Sequence, residues 1–82
     1  MSRTISKDIA LRKFGEKLHY LRLQKKLTLQ GLAHKLGYSA HGYISEIESG
    51  KKKPTADLVL KVADFFGVTT DQLLRDELNC GK

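Results

Sequence analysis

This chain of 82 residues has few of the side chains that form disulfides, metal sites or catalytic centres in other small proteins. Cys80 is its single cysteine, which excludes an internal disulfide. The three histidines and this cysteine do not have the spacing of a zinc site, so we expect no metal. The sequence also has no nucleophile next to its base, no phosphate-binding glycine loop and no carboxylate pair, so neither an enzyme nor a cofactor is expected. One small domain must therefore be held together by its apolar core alone.

Long apolar runs are also missing. Nothing near the N-terminus has the apolar stretch of a signal peptide, and no segment approaches the roughly 18 apolar residues of a membrane span. We therefore expect no membrane association and, by default, a cytoplasmic location. Alternating strand-like patterns and internal repeats are absent as well. The apolar residues instead follow a helical period, which predicts an all-α fold with five helices and short loops.

Acidic residues are few in the first part of the chain. Residues 1–53 contain 12 Lys and Arg against four Asp and Glu, a balance of +8, whereas residues 54–82 contain three against five, a balance of −2. All the excess positive charge therefore precedes Pro54. This asymmetry indicates a part of the molecule that faces a polyanion, with a solvated basic surface as the alternative.

Caps and apolar spacing predict the helix boundaries. Thr28 and Thr55 are suitable N-caps. The helix that begins after Thr28 can end at Gly37, and the one that begins after Thr55 can end at Gly67. Gly15, inside the first helix, costs about 1 kcal/mol relative to Ala, which is tolerable if another helix crosses closely there. The prediction is a flexible arm, a single domain of five helices and a loose tail: arm 1–7; domain 8–78, with helices at about 8–26, 29–36, 40–49, 56–66 and 70–78; tail 79–82.

The residues from Leu27 onward carry a family resemblance. Leu27-Thr28, Leu32-Ala33, Leu36-Gly37, Tyr43-Ile44-Ser45, Ile47-Glu48, Gly50-Lys51 and Pro54 resemble the phage-repressor-like (Cro, lambda repressor, XRE) helix-turn-helix family, and the match continues through Phe66-Gly67-Val68 and Asp71-Gln72-Leu73-Leu74. The resemblance implies a five-helix, lambda-repressor-like DNA-binding domain. It also implies a sequence-specific regulator of transcription that reads the major groove of double-stranded DNA with the helix at about 40–49, and we expect it to be a repressor.

The resemblance assigns base-reading positions to the start and middle of that helix. The candidates are His41, Gly42, Tyr43, Ser45 and Glu46. Glu46 either accepts a hydrogen bond from cytosine N4 or pairs with a lysine on a solvated helix surface, and His41 either contacts DNA or is a polar residue of the turn. The chain departs from the family here, because the turn reaches Ile44 one residue later than usual.

Other positions are assigned to the DNA backbone or to the scaffold. The candidates for phosphate contact are Thr28, Gln30, Ser39, Lys51, Lys52, Lys53, Arg12 and Lys13, with the arm residues Arg3 and Lys7 as further flanking contacts. Leu29 stands where relatives often have a phosphate-binding glutamine, so either Gln30 takes that role or the position faces the core. Ala33 and Gly37 allow the two helices to cross at their turn, and Arg22 with Glu48 matches a structural ion pair of the family.

The C-terminal segment has two predicted roles that the sequence does not separate. Leu73, Leu74 and Leu78 either form the interface of a homodimer that binds a palindromic operator or close the monomer core. Three further functions stay open: an antitoxin whose C-terminal segment binds a protein partner, a controller protein of a restriction system, and a protein-interaction module with an incidental basic face.

Overall fold

Five helices make up the part of the chain that the structure, a computed structural model, describes: residues 7–74, with side chains from residue 13 onward. They are α1 (Lys7–Gln24), α2 (Leu29–Leu36), α3 (His41–Glu48), α4 (Ala56–Phe66) and α5 (Thr70–Leu74). No strand occurs between residues 7 and 74, and the predicted all-α class is confirmed. In the same range, no helix is both long and apolar enough to cross a membrane.

The observed bounds of α2 and α4 are those predicted from their caps. The Thr28 hydroxyl accepts a hydrogen bond from the Gly31 amide at 2.9 Å, and the Thr55 hydroxyl accepts one from the Leu58 amide at 3.1 Å. Each such cap contributes about 1 kcal/mol. Gly37 ends α2 with a φ angle of 87°, in the left-handed region that glycine adopts without a Cβ penalty.

The predicted end of α1 at Lys26 is wrong, because the helix stops at Gln24. Lys26 has a φ angle of 58° and is the only non-glycine residue with a positive φ among those described. The Leu27 amide then donates to the Arg22 carbonyl at 3.1 Å, as in a Schellman ending. The sequence offers no glycine to mark this ending, since lysine takes the position.

The other differences in helix bounds are small. Ala40 and Ser49 are the caps of α3 and not its first and last residues, and α1 includes Lys7, which the prediction placed in the arm. Several predicted features lie outside the described residues: the rest of the arm with Arg3, the continuation of α5 through Leu78, and the tail with Cys80. The side chains of Lys7 and Arg12 are likewise outside the described part.

A single apolar core lies between the helices. Its buried members are Phe14, Leu18, Leu21, Leu32, Ala33, Leu36, Ile44, Ile47, Leu58, Val59, Val62, Ala63 and Leu73. α3 packs against α1 and α2, while α5 packs against α1 and α4. α3 is therefore supported from two sides.

α1 and α3 cross closely at Gly15. Gly15 is buried, and a Cβ atom built on it would lie 2.5 Å from the carbonyl oxygens of both Ile47 and Glu48. The condition under which a glycine inside α1 is tolerable, a close helix crossing, is met here. This contact fixes the C-terminal end of α3 against α1.

Candidate nucleic-acid interface

α3 is divided lengthwise into a buried face and an exposed face. Ile44 and Ile47 have no exposed surface. Four of the predicted base-reading residues lie on the exposed face: His41, Gly42, Ser45 and Glu46. Apart from its chain neighbours and the backbone of α3 itself, no heavy atom lies within 4 Å of a Cβ built on Gly42, so this side of the helix is open to an approaching ligand.

Tyr43, the fifth predicted base reader, lies at the margin of that face. Its side chain is half-buried and packs against the core, with its ring centroid 5.2 Å from that of Tyr38. Residues four apart share a helix face, so Tyr43 lies over Ile47. The tyrosine ring is therefore engaged in packing, and it has less surface for DNA than the four exposed residues have.

The two tyrosines form the centre of a stack with a lysine at each end. The Lys61 ammonium lies 4.8 Å from the Tyr38 ring centroid, and the Lys52 ammonium lies 5.8 Å from that of Tyr43. Partial burial raises the pKa of Tyr38 above its usual value, against the opposing effect of the nearby Lys61. The stack joins α4, the turn and the loop after α3, and the sequence reasoning missed it.

The lysine loop, Lys51 to Lys53, follows α3 directly and is exposed. Gly50 turns the chain with a φ angle of 82°. The backbone amides of Lys51 and Lys52 then donate to the Glu46 carbonyl at 2.9 and 3.3 Å. The loop is thereby attached to the C-terminal end of α3.

The three lysines of this loop are not equivalent. The Lys52 ammonium lies 3.4 Å from the Glu46 carboxylate, whereas neither Lys51 nor Lys53 forms an ion pair with any described residue. Of the two roles considered for Glu46, contact with cytosine or an ion pair with a lysine, the structure contains the ion pair.

The remaining phosphate candidates are distributed over α1, α2 and the turn. Thr28, Gln30 and Ser39 are exposed, although the Thr28 hydroxyl already serves as the cap of α2. Leu29 packs against the core, which is the second of the two roles considered for it. Lys13 is exposed and lies 4.0 Å from Glu16, one turn further along α1.

Arg22 and Glu48 form a two-bond contact that joins α1 to the end of α3. Arg22 Nε donates to Glu48 Oε2 at 2.7 Å, and a terminal guanidinium nitrogen donates to Oε1 at 3.2 Å. Arg22 is 8% exposed and also donates to the Leu27 carbonyl at 2.7 Å. Planar, bidentate geometry of this kind makes arginine difficult to replace.

His19 is an additional member of this contact that the sequence reasoning missed. Its Nδ1 atom lies 2.9 Å from Glu48 Oε1 and 3.2 Å from the Arg22 guanidinium. The signal was the position of His19 three residues before Arg22, which places both side chains on the same face of α1. With Glu16, Ser45 and Ser49, His19 and Glu48 line a shallow cleft between α1 and α3.

The small residues of the turn lie where the helices meet. Ala33 is 2% exposed, and its carbonyl accepts a hydrogen bond from the Tyr38 amide at 2.8 Å. Gly37 lies between them in its left-handed conformation. A larger side chain at Ala33 would have no room against the packed core.

The leucines proposed for a dimer interface separate into different environments. Leu73 has no exposed surface, so it closes the monomer core and is not available to a partner. Leu74 is 45% exposed and stays a candidate. Leu78 lies outside the described residues.

Comparison with known proteins agrees with this architecture. The helix-turn-helix family model matches residues 18–73. The chain belongs to this family, as the resemblance noted in the sequence implied. It is a family of DNA-binding transcription regulators, not of enzymes.

The relatives include both an activator and a repressor of transcription. The chain is 44% identical over 64 residues to the HTH-type transcriptional activator BcrR of Enterococcus faecalis, covering 78% of this chain and 31% of that protein. It is 30% identical over 63 residues to the cryptic phage CTXphi transcriptional repressor RstR of Vibrio cholerae, covering 77% of this chain and 56% of that protein. The chain thus spans about a third of the activator and just over half of the phage repressor.

A solved structure shows the same fold over nearly its whole length. The restriction-modification controller protein C.AhdI of Aeromonas hydrophila superimposes with a TM-score of 0.69 at 30% identity, over 77% of this chain and 94% of that one. The five-helix arrangement is therefore the fold of a known regulator.

Proposed function

We propose that this chain is a sequence-specific regulator of transcription that inserts α3 into the major groove of double-stranded DNA. The observation that carries the proposal is the division of α3 into two faces. One face is held by the core and by Arg22, while His41, Gly42, Ser45 and Glu46 are exposed together. A helix supported in this way can present side chains to base edges without bending or rotating.

The lysine loop supports the second part of the proposal, which is contact with the DNA backbone. Lys51 and Lys53 lie within five residues of the C-cap of α3 and have no carboxylate partner among the described residues. Contacts of lysine with phosphate position a protein on the duplex but carry no sequence information. Thr28, Gln30 and Ser39, at the start of α2 and in the turn, are the proposed neutral phosphate contacts.

Repression is the direction that we propose. Occupying a promoter is sufficient to repress it, whereas activation needs an added contact with the transcription machinery. The two relatives named above include an activator and a repressor, so the fold permits both. As a regulator of this kind acts on the chromosome, a cytoplasmic, nucleoid-associated location is part of the proposal.

We further propose that the chain binds a palindromic operator as a homodimer. One helix-turn-helix reads few base pairs, and a symmetric pair reads two half-sites one helical turn apart. Leu74, exposed on the last described helix, is the candidate for the interface. Light scattering should show a dimer, alone or with a palindromic duplex; monomer under both conditions would contradict this part.

A controller protein of a restriction system is the second candidate function. The likeness to the controller protein C.AhdI, of which the chain covers 94%, favours it. Both functions require the same DNA-reading surface. The location of the selected sites separates them, because a controller would bind upstream of restriction and modification genes.

Selection of bound sequences from a random DNA pool tests the main proposal. At about 100 mM salt, where non-specific electrostatic binding is already weakened, a defined motif should emerge. Replacing His41 and Ser45 by alanine should change or abolish that motif. Leu60→Ala, on α4 and 58% exposed, is the matched control and should leave it unchanged. Absence of any motif for the unsubstituted protein would overturn the proposal.

A further inference from the structure

Lys52 is held against α3 by three separate contacts. Its ammonium lies 3.4 Å from Glu46 Oε1 and 5.8 Å from the Tyr43 ring centroid, and its backbone amide donates to the Glu46 carbonyl at 3.3 Å. Lys51 shares only the last kind of contact, through its own amide at 2.9 Å. Of the loop lysines, Lys52 is therefore the one whose charge is directed back to the helix.

Its partner, Glu46, has an unfavourable charge for a residue that approaches DNA. A carboxylate on the exposed face of α3 is repelled by the phosphates on both sides of the groove. The same carboxylate is a suitable acceptor for the cytosine amino group, which is the donor that C·G pairs present in the major groove. A cation next to Glu46 would reduce this repulsion and so favour the contact of Glu46 with a base.

The Lys52 ammonium provides that compensation without a partner from outside the chain. Both side chains are about half exposed in the free protein, where such pairs contribute little to stability. Docking on DNA removes water from the pair and strengthens the attraction between its charges. Each of the two carboxylate oxygens can then serve a different donor, the lysine at one and a base at the other.

We propose, on the basis of the function proposed above, that Glu46 and Lys52 act as one neutral unit that selects cytosine. Glu46 is the specificity-determining residue and accepts the hydrogen bond from N4. Lys52 is a positioning residue. Its ion pair with Glu46 is retained in the DNA complex, and it does not bind phosphate. The positive charge available to the DNA backbone in this loop comes from Lys51 and Lys53 instead.

The salt dependence of DNA binding separates this role from phosphate contact. The double variant Glu46→Gln/Lys52→Met has the same net charge as the unsubstituted protein. Its slope of log affinity against log salt should equal that of the unsubstituted protein, whereas Lys51→Met should make the slope shallower by about 0.9. A slope shallower by about 0.9 in the double variant would show that Lys52 binds phosphate and would overturn the proposal.

The bound sequences test the role of Glu46. Selection with the unsubstituted protein should give a motif with a fixed cytosine. Glu46→Gln should change that position to adenine, whose N6 and N7 suit an amide. Lys52→Met alone should weaken binding about tenfold or more on every sequence, because it leaves Glu46 uncompensated. Adding Glu46→Gln should restore the affinity on the adenine-containing motif that the glutamine selects.

Two negative results have different meanings. A motif that is unchanged by Glu46→Gln would overturn this inference and leave the DNA-binding function intact. No motif with the unsubstituted protein would overturn that function as well. Circular dichroism of each variant, which should match that of the unsubstituted protein, verifies that a loss of binding is not a loss of fold.

Discussion

Gly15 of α1 lies so close to Glu48 of α3 that a Cβ atom on the glycine would be 2.5 Å from the Glu48 carbonyl oxygen. The obstacle is backbone, which cannot move aside as a flexible side chain can. Glu48 is thus held at two points, through its carbonyl group by the fit against Gly15 and through its carboxylate by Arg22.

Gly15→Ala should therefore destabilise the protein, although alanine is the better helix former by about 1 kcal/mol. Overpacking a rigid contact costs about 1–3 kcal/mol, and here the two helices must separate. We expect a net loss of about 1 kcal/mol, and at most about 2 kcal/mol, in the free energy of unfolding, measured by urea denaturation. A variant with increased stability would show that α1 and α3 do not cross at this glycine.

Gly42→Ala is the matched control, because the same change is made in a helix with open space around it. We expect it to stabilise the protein by less than about 1 kcal/mol, because alanine is the better helix former but Gly42 lies in the first turn of α3 and not in its interior. DNA affinity should fall in the same variant, since the added methyl group is on the face proposed to enter the groove. A loss of stability would contradict the first expectation, and unchanged affinity the second.

Glu48→Ala should cost about 3 kcal/mol, because it leaves the largely buried Arg22 guanidinium without its carboxylate. Thermal denaturation followed by circular dichroism measures the effect. Glu46→Ala removes a carboxylate from the same helix and also breaks a contact with a cation, but the pair is exposed and the expected cost is about 0–1 kcal/mol. Equal midpoints for the two variants would rule out a structural role for the Arg22 contact.

Lys26→Gly should stabilise the protein by about 0.5–1 kcal/mol, because lysine occupies a left-handed conformation that glycine adopts without strain. Lys26→Ala removes the same charge but retains the Cβ atom, so its stability should stay close to that of the unsubstituted protein. If both variants were stabilised equally in urea denaturation, the gain would come from charge and not from backbone conformation.

Lys51→Met and Lys53→Met should each make the slope of log DNA affinity against log salt shallower by about 0.9, the effect of one phosphate contact. Lys25→Met is the control of equal charge, because Lys25 follows the end of α1 and its ammonium lies 5.7 Å from the Phe65 ring centroid. Titrations at several salt concentrations should show a smaller change for the control. Equal changes for all three variants would indicate a general effect of net charge.

Local signals were sufficient to predict most of the scaffold. Thr28 and Thr55 supplied caps, Gly37 and Gly67 supplied endings, and the ranges of α2 and α4 followed from them. The end of α1 could not be located, because Lys26 adopts the left-handed conformation that glycine usually has at a helix end. The start of α3 was ambiguous for a similar reason, as Ala40 has no side-chain group that can cap a helix.

The candidate site was less accessible to sequence reasoning than the scaffold. The residue types and the exposed face could be placed by helical spacing and family resemblance. The partner of each side chain could not, because it depends on contacts across the turn, between helices, or between a helix and the loop that follows it. His19 at Glu48, Tyr38 at Tyr43 and Lys52 at Glu46 are all of this kind.

The lengthwise division of α3 has a consequence for retargeting the protein. The residues that hold the helix in place, Ile44, Ile47 and Glu48, do not overlap with the exposed residues His41, Gly42, Ser45 and Glu46. The second group can be exchanged as a set while the frame that carries it stays the same. New DNA sequence preferences can thus arise by substitution at a few surface positions while the fold is unchanged.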